Sequence, residues 1–124
     1  MAKNKIHNLS LDQLSDTEYL CFAQQVVGLI PSAKVLHVAE SVVNGYNANI
    51  AKMADAVSNL PENNCTAIRM DIDEQYEDIA ATVDAFSIVE PSQEITDFII
   101  HLNKLVDRTR KTYRQRIRKK AHDG

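Results

Sequence analysis

A chain of 124 residues with 44% hydrophobic and 25% charged side chains fits one globular domain over 1–124 and lacks the low hydrophobicity of a disordered segment. The opening MAKNKIHNLS is polar with no apolar stretch behind it, and no run reaches the roughly 18 apolar residues of a membrane helix, so a cytoplasmic protein without membrane contact is expected. Charge is split: residues 108–124 hold eight Lys and Arg against one acid, a net +7, whereas residues 1–107 hold six against sixteen, a net −10.

Helical periodicity runs through nearly the whole chain, and strand alternation is absent. Ser15-Asp-Thr-Glu18 reads as a capping box, with Leu14 and Tyr19 placed for a hydrophobic staple. The first helix is predicted over about 16–30, with Tyr19, Phe22, Ala23, Val26 and Ile30 on one face and Pro31 as its stop. The second, about 33–59, carries a heptad seam through Leu36, Ala39, Val43, Tyr46, Ile50, Met53, Val57 and Leu60. Asn44 to Asn49 is a run of poor helix formers, where a weakness or kink is expected. Pro61-Glu-Asn-Asn64 makes the next turn.

The third helix, about 65–88, presents Ile68, Ile72, Tyr76, Ile79, Val83 and Phe86, with acids Asp71, Asp73, Glu74, Glu77, Asp78 and Asp84 on its outer side. Ser92 caps a fourth helix over about 93–119, lined by Ile95, Phe98, Ile99, Leu102, Leu105, Val106, Tyr113 and Ile117. Short turns between long helices force antiparallel neighbours. The fold class is therefore all-α, an antiparallel up-down-up-down four-helix bundle with short loops. The short first helix is expected to leave one end thinly covered, as a groove or a dimer surface.

The basic residues of the last helix are the candidate contacts for a polyanion or a partner: Arg108, Arg110, Lys111, Arg114, Arg118, Lys119 and Lys120. At 100° per residue Arg110, Lys111, Arg114 and Arg118 share one side. Two uses follow. In an antiparallel hairpin the acids of the third helix would lie beside this stretch and pair with it, fixing helix order. Alternatively the face is an arm for nucleic acid phosphates, with affinity that falls steeply with salt. The negative total charge favours the intramolecular use, because nucleic acid binders are usually basic overall.

Catalytic and metal signatures are missing from the sequence. No Glu has His three residues on, and Asp71-Ile-Asp73 opens like a calcium loop but has Tyr76 where glycine is required. His7, His37, His101 and His122 are scattered and read as boundary residues. Cys21 reads as core filling. Cys65, at a helix start, is a candidate for a lowered pKa but has no histidine partner. The two cysteines form no CxxC pair, as expected of reduced thiols, and the sequons at Asn8 and Asn64 read as chance matches. No enzyme, metal or cofactor is expected. The leading expectation is a non-catalytic bundle for protein association or scaffolding, as a homodimer or with a partner protein, and nucleic acid binding is the alternative.

Two stretches carry a resemblance. Leu11-Asp-Gln-Leu14-Ser-Asp-Thr-Glu18-Tyr19 with Phe22, and Asp97-Phe98-Ile99-Ile100-His101-Leu102-Asn103 with Arg108, Lys111 and Arg116, resemble the ends of a family of uncharacterised helical bacterial proteins known only as a domain of unknown function. The resemblance implies an all-helical fold and supplies no catalytic residues. Asn103, polar beside Leu102 and Val106, is a candidate for fixing register or pairing.

Overall fold

The structure is a computed structural model that describes residues 5–7, 9–59 and 65–123, without the side chains of Asp12, Asn59 and 118–123. The expected turn at Pro61–Asn64, seam residue Leu60, the sequons' Asn8 and Asn64, and the side chains of Arg118, Lys119, Lys120 and His122 lie outside the described residues. Four helices follow a short 3-10 turn at Leu11–Gln13: α1 (Asp16–Leu29), α2 (Glu40–Asn59), α3 (Thr66–Val89) and α4 (Gln93–Asp123). Each packs on its neighbours in sequence, and α1 closes the ring against α4. This is the all-α four-helix bundle, with no strand among the described residues.

The predicted faces form the core. Tyr19, Phe22, Ala23 and Val26 of α1 meet Tyr46, Ile50 and Met53 of α2, Ile72, Tyr76, Ile79 and Val83 of α3, and Ile95 to Val106 of α4. Phe22 meets Tyr76 edge to face at 5.6 Å, the geometry favoured by the ring quadrupoles. The capping box is formed: Ser15 Oγ accepts from the Glu18 amide at 3.2 Å, and Glu18 Oε1 accepts from the Ser15 amide at 2.9 Å. Ser92 Oγ likewise accepts from the Ile95 amide at 3.2 Å. Through the expected weak stretch α2 continues as one helix. A Cβ on Gly45 would lie 2.6 Å from the Gln75 side chain, which accepts a hydrogen bond from Asn49. Glycine and asparagine there serve the approach of α3.

One helix start differs from expectation. Residues 33–39 are not the first turns of α2, which begins at Glu40. Ser32 Oγ caps a single turn by accepting from the Val35 amide. The turn closes when His37 N–H donates to Lys34 O and Val38 N–H to Ala33 O, with His37 at φ 61°. This pair of bonds is the Schellman pattern, normally ended by glycine. A helix would put Leu36 and Val38 on different faces, whereas the left-handed residue between them lets both be buried. The His37 ring stacks on Phe86 at 4.1 Å, and Nε2 lies 3.7 Å from Glu90. The end of α3 thus holds the strained residue in place.

At the other end a single side chain gathers the segment before α1. The Arg69 guanidinium of α3 donates to Leu11 O at 2.7 Å, Leu14 O at 3.0 Å and Asp16 Oδ1 at 3.0 Å. It also lies 4.3 Å from the centroid of Tyr19, within cation–π range. The Tyr19 hydroxyl donates to Asp73 and lies 3.1 Å from the Arg69 carbonyl oxygen. Burial, then the Asp73 carboxylate, pushes this phenol far above its ordinary pKa, so it stays a donor.

Residues 5–7 lie across α3 and α4. Ile6 is buried, and its amide donates to Asp84 Oδ1 at 3.0 Å. The Asn103 side chain accepts from the His7 amide at 2.7 Å and donates to Lys5 O at 3.0 Å. One amide thus pairs with the segment as a neighbouring strand would. Residues 5–7 and 9–14 and the turn before α2 bury Ile6, Leu14, Leu36 and Val38, whereas Ile88 and Val89 at the end of α3 stand 72% and 77% exposed.

Two stability measurements follow. Arg69→Met strands the Leu14 carbonyl and Asp16, leaves Leu11 O with the Leu14 amide alone, and should cost about 2–3 kcal/mol in urea unfolding. Asp16→Asn should cost under about 1 kcal/mol, since that carboxylate is half exposed. Equal costs would mean that the carbonyl contacts carry nothing. His37→Gly and His37→Ala both lose the Phe86 stack, but only alanine keeps the left-handed strain. The glycine variant should be the more stable by about 1 kcal/mol.

Candidate functional site

The C-terminal half of α4 emerges from the core after Val106. Leu105 and Val106 are buried, Tyr113 is half-buried, and Ile117 is 43% exposed. Arg116 remains tied to the bundle. Its Nε donates to Glu18 Oε2 at 2.7 Å, and its guanidinium lies 5.2 Å from the Tyr113 ring. Glu18 thus closes the capping box with one oxygen and holds α4 with the other.

The candidate basic residues divide into two sets. Arg110, Lys111 and Arg114 line an open concavity of about 440 Å³ together with Asp107 and Gln115. Arg108 points to the other side, donating to Gln25 Oε1 at 3.3 Å. There it lines an apolar groove of about 330 Å³ between α1 and α4, with Cys21 and Phe22 among its walls. The side chains of Arg118, Lys119 and Lys120 lie outside the described residues.

Among the described residues the expected charge match between α3 and α4 is not formed. Among the described residues no ion pair joins an acid of α3 to a basic residue of α4. Among the described residues Arg110 lies 3.6 Å from Asp107 and Arg116 bonds Glu18. The reason lies in the packing. Residues 5–7 sit across these two helices, and Asp73 and Asp84 are engaged by Tyr19 and Ile6. Asp71, Glu74, Glu77 and Asp78 are half-exposed or exposed along α3's outer side. Lys111 and Arg114 are exposed, with no acidic partner within ion-pair distance among the described residues.

Asp107 is the one acid in the wall of the basic concavity, and sequence reasoning passed over it. Its Oδ1 lies 3.0 Å from His7 Nδ1 and 3.6 Å from Arg110. Arg69 was also passed over, although it is the sole basic residue of α3. The cysteines correct two expectations. Cys21 is exposed rather than core filling, with the Gln25 amide donating to Sγ at 3.2 Å. Cys65 is buried, and burial followed by nearby Asp16 raises its thiol pKa instead of lowering it. A raised pKa makes a poor nucleophile at neutral pH. His101 is exposed on α4. Among the described residues no group of three or more His, Cys, Asp and Glu is placed to hold a metal ion, and no helix is long and apolar enough to cross a membrane.

The Glu18–Arg116 bond makes α4 docking sensitive to acid. The guanidinium holds the Glu18 carboxyl below the usual glutamate range, with the capping bonds adding to the effect. A depressed folded pKa contributes stability above the unfolded value of about 4.3, and that stability is lost as pH falls through the folded value. Arg116→Gln should therefore flatten the fall in the thermal midpoint below about pH 4.3. An identical fall in the variant and the wild type would remove Glu18 as its source.

Comparison with family models, with curated proteins and with solved structures finds no match. The resemblance at the first and last helices therefore rests on those residues alone.

Proposed function

We propose that this chain is a non-catalytic helical bundle of the cytoplasm that binds nucleic acid through the basic face of α4. The observation that supports the reading is the exposed pair Lys111 and Arg114, which line one concavity with Arg110. Had the acids of α3 paired with it, that charge would be spent inside the fold. Lys111 and Arg114 instead stand exposed, on one side of a helix that runs on to Asp123. Arginine and lysine on one rigid helical face suit a phosphate backbone, which is read by charge and position and not by base identity. The acidic remainder of the chain opposes non-specific binding and orients the molecule, so that α4 leads toward an anion.

Self-association, the other class, drew its support from the heptad seam of α2 and from a thinly covered end. Tyr46, Ile50 and Met53 of that seam are buried inside the same chain. An apolar groove between α1 and α4 and the exposed Ile88 and Val89 at the end of α3 are the features that favour this second class.

The test is fluorescence anisotropy with labelled single- and double-stranded DNA and RNA at about 50 and 200 mM salt. Three phosphate contacts should weaken binding roughly forty-fold across that range. Lys111→Glu with Arg114→Glu should remove the low-salt binding while leaving the helical circular dichroism unchanged. No low-salt binding by the wild type, or full binding by the reversed variant, would sink the reading. Capture of an acidic protein surface in place of nucleic acid would move the same face to the class of protein partners.

A further inference from the structure

The basic concavity and the N-terminal segment meet at one atom. Asp107 Oδ1 lies 3.0 Å from His7 Nδ1 and 3.6 Å from Arg110. His7 is held there by its own backbone, because its amide donates to Asn103 one helical turn before Asp107. Both partners are about half exposed, so solvent protons reach them. Asp107 also belongs to the wall that Arg110, Lys111 and Arg114 form. A carboxylate in that wall repels a phosphate and occupies the cation beside it.

We infer that His7 gates the anion site of α4: once protonated, it neutralises the Asp107 carboxylate in the wall and admits a phosphodiester group to the concavity. This rests on the basic face of α4 being the binding face, and it adds the regulation of that face. A neutral imidazole donating Nδ1–H leaves the carboxylate's full negative charge in the wall. An imidazolium neutralises that charge and removes the repulsion of a phosphate at the wall. Histidine changes charge between about pH 5 and 8, a range in which a phosphodiester keeps its single charge. Affinity is therefore expected to rise as pH falls.

The charged groups around His7 act in the same direction or stay constant. From α4 they are Asp107 and, through it, Arg110. From α3 it is Asp84, bonded to the neighbouring Ile6 amide at 3.0 Å. On the segment itself it is Lys5, whose carbonyl accepts from Asn103. Lysine and arginine keep their charge between pH 5.5 and 7.5, so the histidine is the group that switches.

The experiment measures binding of a labelled DNA oligonucleotide at about pH 5.5 and pH 7.5 and constant low salt, for wild type, His7→Asn and Asp107→Asn. Asparagine at position 7 keeps a donor near the Nδ1 position but cannot gain a proton. Wild type should bind more tightly at the lower pH, and in His7→Asn that ratio should shrink by roughly two- to five-fold, the scale of one exposed ion pair. Asp107→Asn keeps both Asn103 bonds to the segment. It should bind more tightly than wild type at the higher pH and show the same reduced ratio. A wild-type ratio in both variants would overturn the gate while leaving the binding face intact. No binding by any of the three would overturn the gate and the binding face together.

Discussion

The Arg69 guanidinium is the constraint on which the other contacts depend. It is the one place where the leader, α1 and α3 are joined by a single group. Leu11 O also accepts from the Leu14 amide, but Leu14 O takes its donor from Arg69, and a buried carbonyl without a donor is costly. Arg69 supplies that donor while its charge is balanced by Asp16 and its plane lies against Tyr19. Tyr19 in turn is fixed by Asp73, one turn further along α3. With this knot tied, the leader is directed back across α3 and α4, where Asn103 receives it. Without it, neither the staple of Leu14 nor the burial of Ile6 has a reason to persist.

The same routing explains the charge pattern. A compact four-helix protein with an acidic third helix and a basic fourth would ordinarily set the two faces together. Here the leader occupies that seam with backbone groups and one isoleucine. The inward acids of α3 are spent on hydrogen bonds to Tyr19 and Ile6, and its outward acids remain in water. Lys111 and Arg114 of α4 are consequently left exposed.

Much of the fold was legible because it is local. The capping box at Ser15, the Ser92 cap, the stop at Pro31, and the core stripes follow from spacings within a few residues. The turn before α2 was not legible. Its left-handed residue is a histidine where the usual signal is glycine, and what holds it is Phe86, remote in sequence and adjacent in space. The basic face could be drawn by rotating a helix at 100° per residue, and the structure groups Arg110, Lys111 and Arg114 as that rotation implies. Asp107 and His7 could not be found that way. Their meeting depends on a polar segment of no periodicity returning to a helix at the other end of the chain. Arg69 had one faint signal, a lone positive charge in an acidic helix, whose meaning appears only beside the carbonyls it serves.

The Asn103 clamp has a further consequence, for the order of folding. Its two bonds, and those of Asp107 and Arg116 to the leader and α1, join residues 96 to 103 positions apart. Loop-closure entropy makes such contacts slow to form and late to be rewarded. During synthesis residues 5–7 emerge well before α4, so α1 to α3 come together with that seam still open. The arrival of α4 is what fills it. It closes the core, seats the leader and completes the positive face in one step, so that a chain interrupted before α4 has neither a finished fold nor a charged surface to present.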